Sequence, residues 1–187
     1  MKICIERTDR MGDMILTLPV IQGIKKANPQ AIIHVIASHK NIKICKKFSL
    51  VDKIYKRQAS IKIFYNLIKL LNSERYDYFF SFSPSWFGLL LGLFSKSQTK
   101  ASLILQSRYK SNFLSKFWKI LFSKIFFNHT KVINRFKEIK KDQNIHQTKM
   151  MMDLIFNAGI NIEKNTKIRH IFPSIFSLKK IKPICLI

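Results

Sequence analysis

The chain has 187 residues, and its 34 lysines and arginines against 10 acidic residues give a formal charge of +24. This length suits one domain with its own core, and an apolar content of 47% excludes a disordered polar chain. The charge favours an anionic partner, whether nucleic acid, a membrane surface or a phosphorylated small molecule, and it equally fits drift of an AT-rich coding sequence.

Strand-like and helix-like segments alternate over the first 105 residues. Apolar runs predict strands at Lys2–Arg7, Ala31–Ala37, Lys53–Tyr55, Tyr76–Phe82 and Lys100–Leu105. Helical spacing predicts helices at Met14–Ala27, Asn41–Phe48, Ile61–Leu71 and Trp86–Phe94. Because the strands are almost continuously apolar, this alternation predicts an α/β fold with a doubly wound parallel sheet, covered by helices on both faces.

A strongly basic stretch follows, with twelve lysines and arginines between Lys96 and Lys141 against one acid, Glu138. Within it, Asn112–Phe127 predicts an amphipathic helix, with Lys116, Lys119 and Ser123 on a narrow polar face. Two interpretations remain open. The wide aromatic face beside lysines is typical of a helix in a membrane interface, and it also suits a core helix whose lysines reach out to solvent.

The end of the chain contains a further helix and a short apolar run. Lys149–Ala158 predicts a helix that Gly159 ends. The run Pro183–Ile187 predicts a buried strand, and a parallel strand needs neighbours on either side. We therefore expect it to open a second domain.

Several classes of site and segment are not predicted. Glu6 and Arg7 interrupt the first apolar stretch, so that no secretory signal is visible, and the longest apolar run, Trp86–Phe94, is shorter than the roughly 20 residues of a membrane span. Three cysteines without CxxC spacing indicate reduced thiols and a cytoplasmic protein. The histidines lack ligand spacing, so no metal site is predicted; they are His34, His39, His129, His146 and His170.

The loop after the first predicted strand, Thr8–Asp13, is where a doubly wound sheet binds ligands. It lacks the glycines of a dinucleotide or P-loop motif. Asp13 follows Gly12 at the predicted helix start, where an aspartate commonly caps the helix by accepting a backbone N–H. Arg10 could pair with Asp9 or Asp13, bind an anion, or lie in solvent.

The segment Lys2–Pro19 resembles the N-terminal signature of the ADP-heptose:lipopolysaccharide heptosyltransferases, glycosyltransferase family 9. That signature is a strand, an R-x-D/S-R-x-G-D loop and a helix with L-T-x-P. The matching residues are Arg7, Asp9, Arg10, Gly12, Asp13, Leu16, Thr17 and Pro19. Supporting matches follow in chain order at Ala27–Ile33, Val51–Ile54, Tyr76–Asp77 with Ser83–Ser85, and His146 with Met152–Ile160.

The resemblance implies the N-terminal, Rossmann-like domain of a two-domain GT-B glycosyltransferase. Residues 1–180 would form the acceptor-binding domain, and residues 181–187 would form the first strand of a donor-binding domain that the sequence lacks. The chain is therefore expected to be truncated before the second domain, with doubtful activity alone. A separately encoded donor domain would be its partner, or the chain would be a non-catalytic remnant.

The resemblance also assigns residues and chemistry. Asp13 would be the general base of an inverting transfer from an ADP-sugar, which is a donor substrate and not a cofactor. Residues expected to bind substrate are Thr8, Arg10, Met11, Gly12, Ser83, Ser85 and Arg108. The acceptor would be a phosphorylated, lipid-linked glycan such as lipopolysaccharide core, and the enzyme would lie on the anionic inner face of the cytoplasmic membrane. Heptose is the expected sugar.

The alternative is a basic, non-catalytic protein that binds nucleic acid or an anionic membrane. Lysines mixed with phenylalanine and tyrosine permit nucleic-acid binding. No helix-turn-helix, RNP or zinc-finger motif supports it, and most aromatic residues lie in apolar runs where we expect a core.

Overall fold

A computed structural model describes residues 1–58, 60–83, 85–105, 113–133 and 146–164 of the chain. Its strands are β1 (Lys2–Arg7), β2 (Ile32–Ala37), β3 (Lys53–Lys56), β4 (Tyr78–Ser81), β5 (Thr99–Leu105) and β6 (His129–Ile133). Its helices are α1 (Met11–Ala27), α2 (Ile42–Lys46), α3 (Ile61–Glu74), α4 (Trp86–Phe94), α5 (Phe113–Phe126) and α6 (Gln147–Asn157).

The strands form one six-stranded sheet in the order β3-β2-β1-β4-β5-β6, and each neighbouring pair is parallel. This is the doubly wound order in which the chain starts at the centre, builds outwards to one edge, and then returns to build the other half. The α/β, Rossmann-like fold predicted from the sequence is confirmed. The pairing of Arg7 with Ala37 and of Glu6 with Ser81 brings the carboxyl ends of the central strands together.

Successive side chains of the strands pack into two separate cores, one on each face of the sheet, because side chains alternate between the faces along a strand. Ile3, Ile5 and Phe80 join helices α1, α2 and α6 on one face. Cys4 and Phe79 join helices α3 and α4 on the other face, together with Phe127 and the half-buried Phe122 of α5. Every strand of the centre is thus buried on both sides, which explains why their sequences are almost continuously apolar.

Strand β6 was not predicted from the sequence. Its residues His129, Thr130 and Lys131 interrupt the apolar pattern on which strand prediction rests. The strand lies at the edge of the sheet, and the side chains of residues 129–132 are half-buried, an environment in which polar residues are tolerated.

Helix α1 begins at Met11, three residues before the predicted start at Met14. The N-cap position is therefore Arg10, whose side chain makes no capping hydrogen bond, and the interpretation of Asp13 as the N-cap is wrong. Asp13 lies inside the first turn, where a carboxylate interacts favourably with the helix dipole. Gly12 is a helical residue with an ordinary negative φ and does not belong to a flexible loop.

The predicted end of helix α6 at Gly159 is confirmed, because Gly159 has a φ of 90°. The N–H of Gly159 donates to the carbonyl of Phe156 at 2.9 Å, and the N–H of Ile160 donates to that of Ile155 at 3.2 Å. These two bonds form a Schellman motif, which satisfies carbonyls that the last turn leaves open.

Helix α5 contradicts the interpretation as a core helix whose lysines reach solvent. Lys119 and Ser123 are buried, whereas Phe117, Trp118 and Ile125 are exposed. The small Ser123 side chain donates to the carbonyl of Ile120 at 3.1 Å, so this polar side can pack inward without an unsatisfied hydroxyl. The side of the helix that carries Phe117, Trp118 and Ile125 consequently faces outwards.

No helix in the described ranges has both the length and the apolar character needed to cross a membrane. The predicted strand Pro183–Ile187 lies outside the described residues. The division into a domain over residues 1–180 and a further strand over residues 181–187 accordingly stays a prediction.

Candidate functional site

The candidate site lies at the carboxyl ends of β1 and β4, the two central strands between which the sheet order reverses. Helices leave these strands towards opposite faces, so the loops after them border a crevice, the usual ligand site of this fold. The loop after β1 contains Thr8 and Asp9, and the segment after β4 contains Phe82 and Ser83. The charged and hydroxyl groups of the site belong to these two segments or to residues that contact them.

Arg7, the last residue of β1, is completely buried and organises the site. Its Nη2 lies 3.3 Å from Oδ1 of Asp13, its Nε lies 3.4 Å from Oδ1 of Asp9, and its Nη1 donates to the carbonyl of Phe82. One guanidinium therefore connects the first loop, the first turn of α1 and the segment after β4. Burial of this cation is tolerable because two carboxylates and a carbonyl surround it.

Ser83 connects the two loops directly. Its Oγ accepts a hydrogen bond from the backbone N–H of Thr8 at 2.7 Å and donates one to Oδ1 of Asp9, also at 2.7 Å. Thr8, Ser83 and Asp13, all predicted as site residues, thus lie in one cluster around Arg7. The substrate-binding roles of Thr8 and Ser83 and the general-base role of Asp13 stay predictions.

Glu6 is a second buried charged residue at the end of β1, and sequence reasoning did not identify it. Its Oε1 accepts from Thr8 Oγ1 at 2.6 Å and its Oε2 accepts from Ser81 Oγ at 3.1 Å. Burial raises the pKa of Glu6 to about 7, and the hydrogen bonds from Thr8 and Ser81 only partly oppose this rise. Glu6 therefore changes protonation near neutral pH, directly behind the site.

Gly88 permits the close approach of helix α4 to this carboxylate. A Cβ atom at position 88 would overlap both Oε2 of Glu6 and Oγ of Ser81. Ser85 caps the same helix, because its Oγ accepts from the N–H of Gly88 at 3.3 Å. Ser85 was predicted to bind substrate; its observed contact is structural, and its role towards substrate stays a prediction.

The carbonyl of Arg7 is held by the loop after β2. Asn41, which is buried, donates from Nδ2 to this carbonyl at 2.9 Å and accepts from the N–H of Ser38 at 2.8 Å. Three strand ends are consequently tied together behind the crevice. This rigidity is what a site needs in order to hold its groups in fixed positions.

Arg57, after β3, extends the site sideways. Its Nη1 donates to Thr8 Oγ1 at 3.1 Å, and its Cζ lies 4.3 Å from the centre of the Phe87 ring. It also lines an open cleft of about 260 Å³ whose other walls are mostly apolar, formed by Gln58, Ser60, Ile61, Phe64, Phe87 and Leu90. A fixed guanidinium beside an apolar wall suits a ligand with an anionic group and a hydrophobic surface.

Three further predicted residues lie at the rim of the site. Arg10, Met11 and Gly12 are exposed at the start of α1, and within the described ranges Arg10 forms no ion pair, since Arg7 contacts both Asp9 and Asp13. A Cβ at Gly12 would meet nothing within 4 Å, so the space beside it is open. Arg108 lies outside the described residues.

Arg57 was among the basic residues expected to contact anionic headgroups and sugar phosphates. Sequence reasoning missed Glu6 as a site residue, and it gave Arg7 only as a match to the family 9 signature. The available signal was the presence of two adjacent charges at the end of an otherwise apolar central strand, because charged residues are rarely buried without partners. No group of three potential metal ligands lies together in the part of the chain that the structure describes.

Comparisons with known proteins agree with this picture. No family model matches the chain. Lipopolysaccharide heptosyltransferase 3 of Escherichia coli is 32% identical to it over 119 residues, which cover 60% of this chain and 34% of the relative. The chain thus spans about a third of the length of this relative.

Solved structures share its fold. A glycosyl transferase family 9 from Veillonella parvula has a TM-score of 0.64 at 16% identity, covering 85% of this chain and 42% of its own. The E. coli heptosyltransferase WaaC with ADP-2-deoxy-2-fluoro heptose has a TM-score of 0.64 at 16% identity, covering 92% and 54%. At these identities the structures show the fold alone. With the curated relative, they confirm the resemblance to glycosyltransferase family 9.

Proposed function

We propose that this chain, a relative of the family 9 glycosyltransferases, is the acceptor-binding part of an enzyme that transfers a sugar, with heptose as the leading candidate, from an ADP-sugar. The acceptor is lipopolysaccharide core or a similar lipid-linked glycan, and the transfer inverts the anomeric centre. The names of the relatives support the activity and the donor class. The single observation that carries the proposal for this chain is the carboxylate of Asp13, held by buried Arg7 at the switch point of the sheet.

The chemistry requires a base at this point. As an acceptor hydroxyl attacks the anomeric carbon in line, it loses its proton to a group within hydrogen-bond reach, and such a group contributes roughly 10²–10⁴-fold to the rate. Asp13 belongs to the first turn of α1, next to the open space beside Gly12. In this proposal a hydroxyl enters from the exposed rim of Arg10 and Met11 to reach this carboxylate.

The cleft beside Arg57 supplies the place for the rest of the acceptor. Its apolar wall, which includes Phe64 and Phe87, suits the hydrophobic face of a sugar or a lipid segment. The guanidinium of Arg57 is oriented by Thr8 and Phe87, and it can bind a phosphate on the glycan. In this proposal the acceptor lies between the cleft and Asp13, the enzyme works on the inner face of the cytoplasmic membrane, and no donor-binding residue is assigned to this chain.

The test uses a hybrid in which this chain replaces the matching part of lipopolysaccharide heptosyltransferase 3, assayed for heptosyl transfer. Asp13→Asn keeps the size of the side chain and an oxygen facing Arg7, but it removes the base, so kcat should fall by about 10²–10⁴-fold. Asp9→Asn is the matched control, because Asp9 contacts the same guanidinium. We expect its kcat to stay within about tenfold of the parent hybrid.

Near-parental transfer by Asp13→Asn would exclude Asp13 as the base. Equal losses from Asp9→Asn and Asp13→Asn would assign the effect to the Arg7 cluster as a structural unit. Measuring unfolding of both variants beside the kinetics separates the second outcome from loss of fold.

A further inference from the structure

The outer face of helices α3, α4 and α5, which we call the aromatic face, carries most of the exposed apolar side chains. These helices pack on one core, on the side of the sheet opposite α1 and α6. In the described part of the chain thirteen large hydrophobic residues are exposed, and nine of them belong to these helices: Ile61, Tyr65, Leu70, Trp86, Phe94, Phe117, Trp118, Ile125 and Phe126. Concentration on one face indicates a binding surface, because single exposed apolar residues are normally scattered.

The charges of the aromatic face have one sign. Lys62, Lys69 and Lys124 are exposed among the apolar residues. The one acidic residue of the three helices, Glu74, is half-buried and bound to Lys2 and Lys53. The surface offered to a partner is therefore aromatic and cationic.

Helical spacing arranges the two kinds of side chain in mixed stripes. On α3, Lys62, Tyr65 and Lys69 follow each other at steps of three and four residues. On α5, Phe117 and Lys124 are seven residues apart and so lie on the same side. Lysines thus stand within the apolar surface and not only around its edge.

From this arrangement we infer that the aromatic face docks on an anionic lipid bilayer, with its rings at headgroup depth and its lysines on lipid phosphates. Tryptophan, tyrosine and phenylalanine favour the membrane interface, and lysine is attracted to its negative surface potential. A second copy of the chain fits less well, since a two-fold interface would bring the lysines of both copies together without acids to pair them.

The aromatic face also reaches the candidate site. Ile61, almost fully exposed at the start of α3, is both a member of the face and a wall of the cleft beside Arg57. A bilayer on this face would present a lipid-linked glycan at the mouth of the cleft. Only this delivery of the acceptor rests on the proposed function. The docking surface itself is inferred from the exposure and charge of the described residues.

Both tryptophans of the chain, Trp86 and Trp118, lie on the aromatic face and report on docking directly. The chain is mixed with phosphatidylcholine vesicles containing 30% phosphatidylglycerol, and with pure phosphatidylcholine vesicles as a reference. We expect a blue shift of tryptophan emission and quenching by brominated acyl chains with the anionic vesicles. High salt should weaken both effects. Absence of both effects would overturn the inference.

Variants then locate the surface by co-sedimentation with the anionic vesicles. Phe117→Ser with Ile125→Ser should weaken binding at least about tenfold, and Lys62→Glu with Lys69→Glu and Lys124→Glu should weaken it further, by about fivefold or more per charge. Phe156→Ser is the matched control, because Phe156 is 55% exposed, like Phe117 at 53%, but belongs to α6 on the other face.

Equal losses for Phe156→Ser would overturn the inference, as would unchanged binding by both sets of variants. Self-association that Phe117→Ser with Ile125→Ser abolishes, without vesicle binding, would identify a second copy as the occupant instead. Binding to duplex nucleic acid that the same lysine variants abolish, again without vesicle binding, would also refute it. None of these measurements involves sugar transfer, so the proposed function can fail while docking holds, and the reverse.

Discussion

The guanidinium of Arg7 lies 3.3 Å from the carboxylate of Asp13, and Arg7 is completely buried. A single ion pair therefore joins the end of the central strand to the first turn of the helix that follows it. The pair holds the proposed base in place, and it also holds the fold at its centre. Stability and activity are consequently linked at this position.

Arg7→Gln should lower the free energy of unfolding by about 3 kcal/mol, because it leaves the carboxylates of Asp9 and Asp13 without their buried cation. Urea denaturation followed by circular dichroism measures this loss. Arg10→Gln is the control, since Arg10 is exposed, and we expect a change of at most about 0.5 kcal/mol. Comparable losses from both variants would contradict the structural role of Arg7.

Glu6 should make the stability depend on pH. Its pKa in the folded chain is about 7, above the ordinary value of 4.5, so between these values the folded chain binds a proton that the unfolded chain has released. The stabilising contribution of Glu6 is therefore fully present below pH 4.5, and about 3 kcal/mol of it is lost as the pH rises from 4.5 through 7.

Glu6→Gln isolates this effect from the other titrating groups. Gln is neutral at every pH, so the difference in unfolding free energy between the variant and the parent chain should grow from pH 4.5 to 7 and then level off. Chemical denaturation at a series of pH values measures the difference. A difference that does not vary with pH would show that Glu6 does not titrate in this range.

Substitution by alanine should change the stability in opposite directions at two glycines, Gly88 and Gly12. Gly88→Ala should destabilise the chain by about 1–3 kcal/mol, because the added methyl group overlaps Glu6 and Ser81. Gly12→Ala should stabilise it by up to about 1 kcal/mol, because Gly12 is helical and has open space beside it. Thermal unfolding compares the two variants, and a loss of stability from Gly12→Ala would refute this account of α1.

The sheet could be predicted from the sequence because the central strands are buried on both faces. The runs around Ile3–Ile5, Ile33–Val35 and Phe79–Phe80 contribute side chains to both cores, so their apolar character is almost unbroken. Helix α4 was predicted with the bounds Trp86–Phe94 for a related reason, because these residues form the longest apolar run of the sequence. The edge strand β6, with weaker burial, has no comparable signal.

The site was only partly predictable, because its organisation depends on contacts between distant residues. Thr8, Asp13 and Ser83 were expected from the resemblance to family 9. The two charges at the end of β1 indicate that Arg7 needs partners, but they do not indicate which residues it joins. The sequence left the inward side of α5 open for the same kind of reason. Hydrophobic periodicity shows that a helix has an apolar and a polar side. Packing against the neighbouring strands and helices determines that the side with Ser123 is buried.

The distance along the chain between the two halves of the site has a consequence for synthesis. Arg7 and Phe82, and likewise Thr8 and Ser83, are hydrogen-bonded partners 75 residues apart. While the ribosome produces the first three strands and helices, the central strand can pair on one side only, and its buried charges have no partners from β4. Contacts of such long sequence separation form slowly. Glu6 and Arg7 are therefore expected to stay hydrated in the nascent chain until the fourth strand emerges, so that completing the sheet and assembling the site are one event.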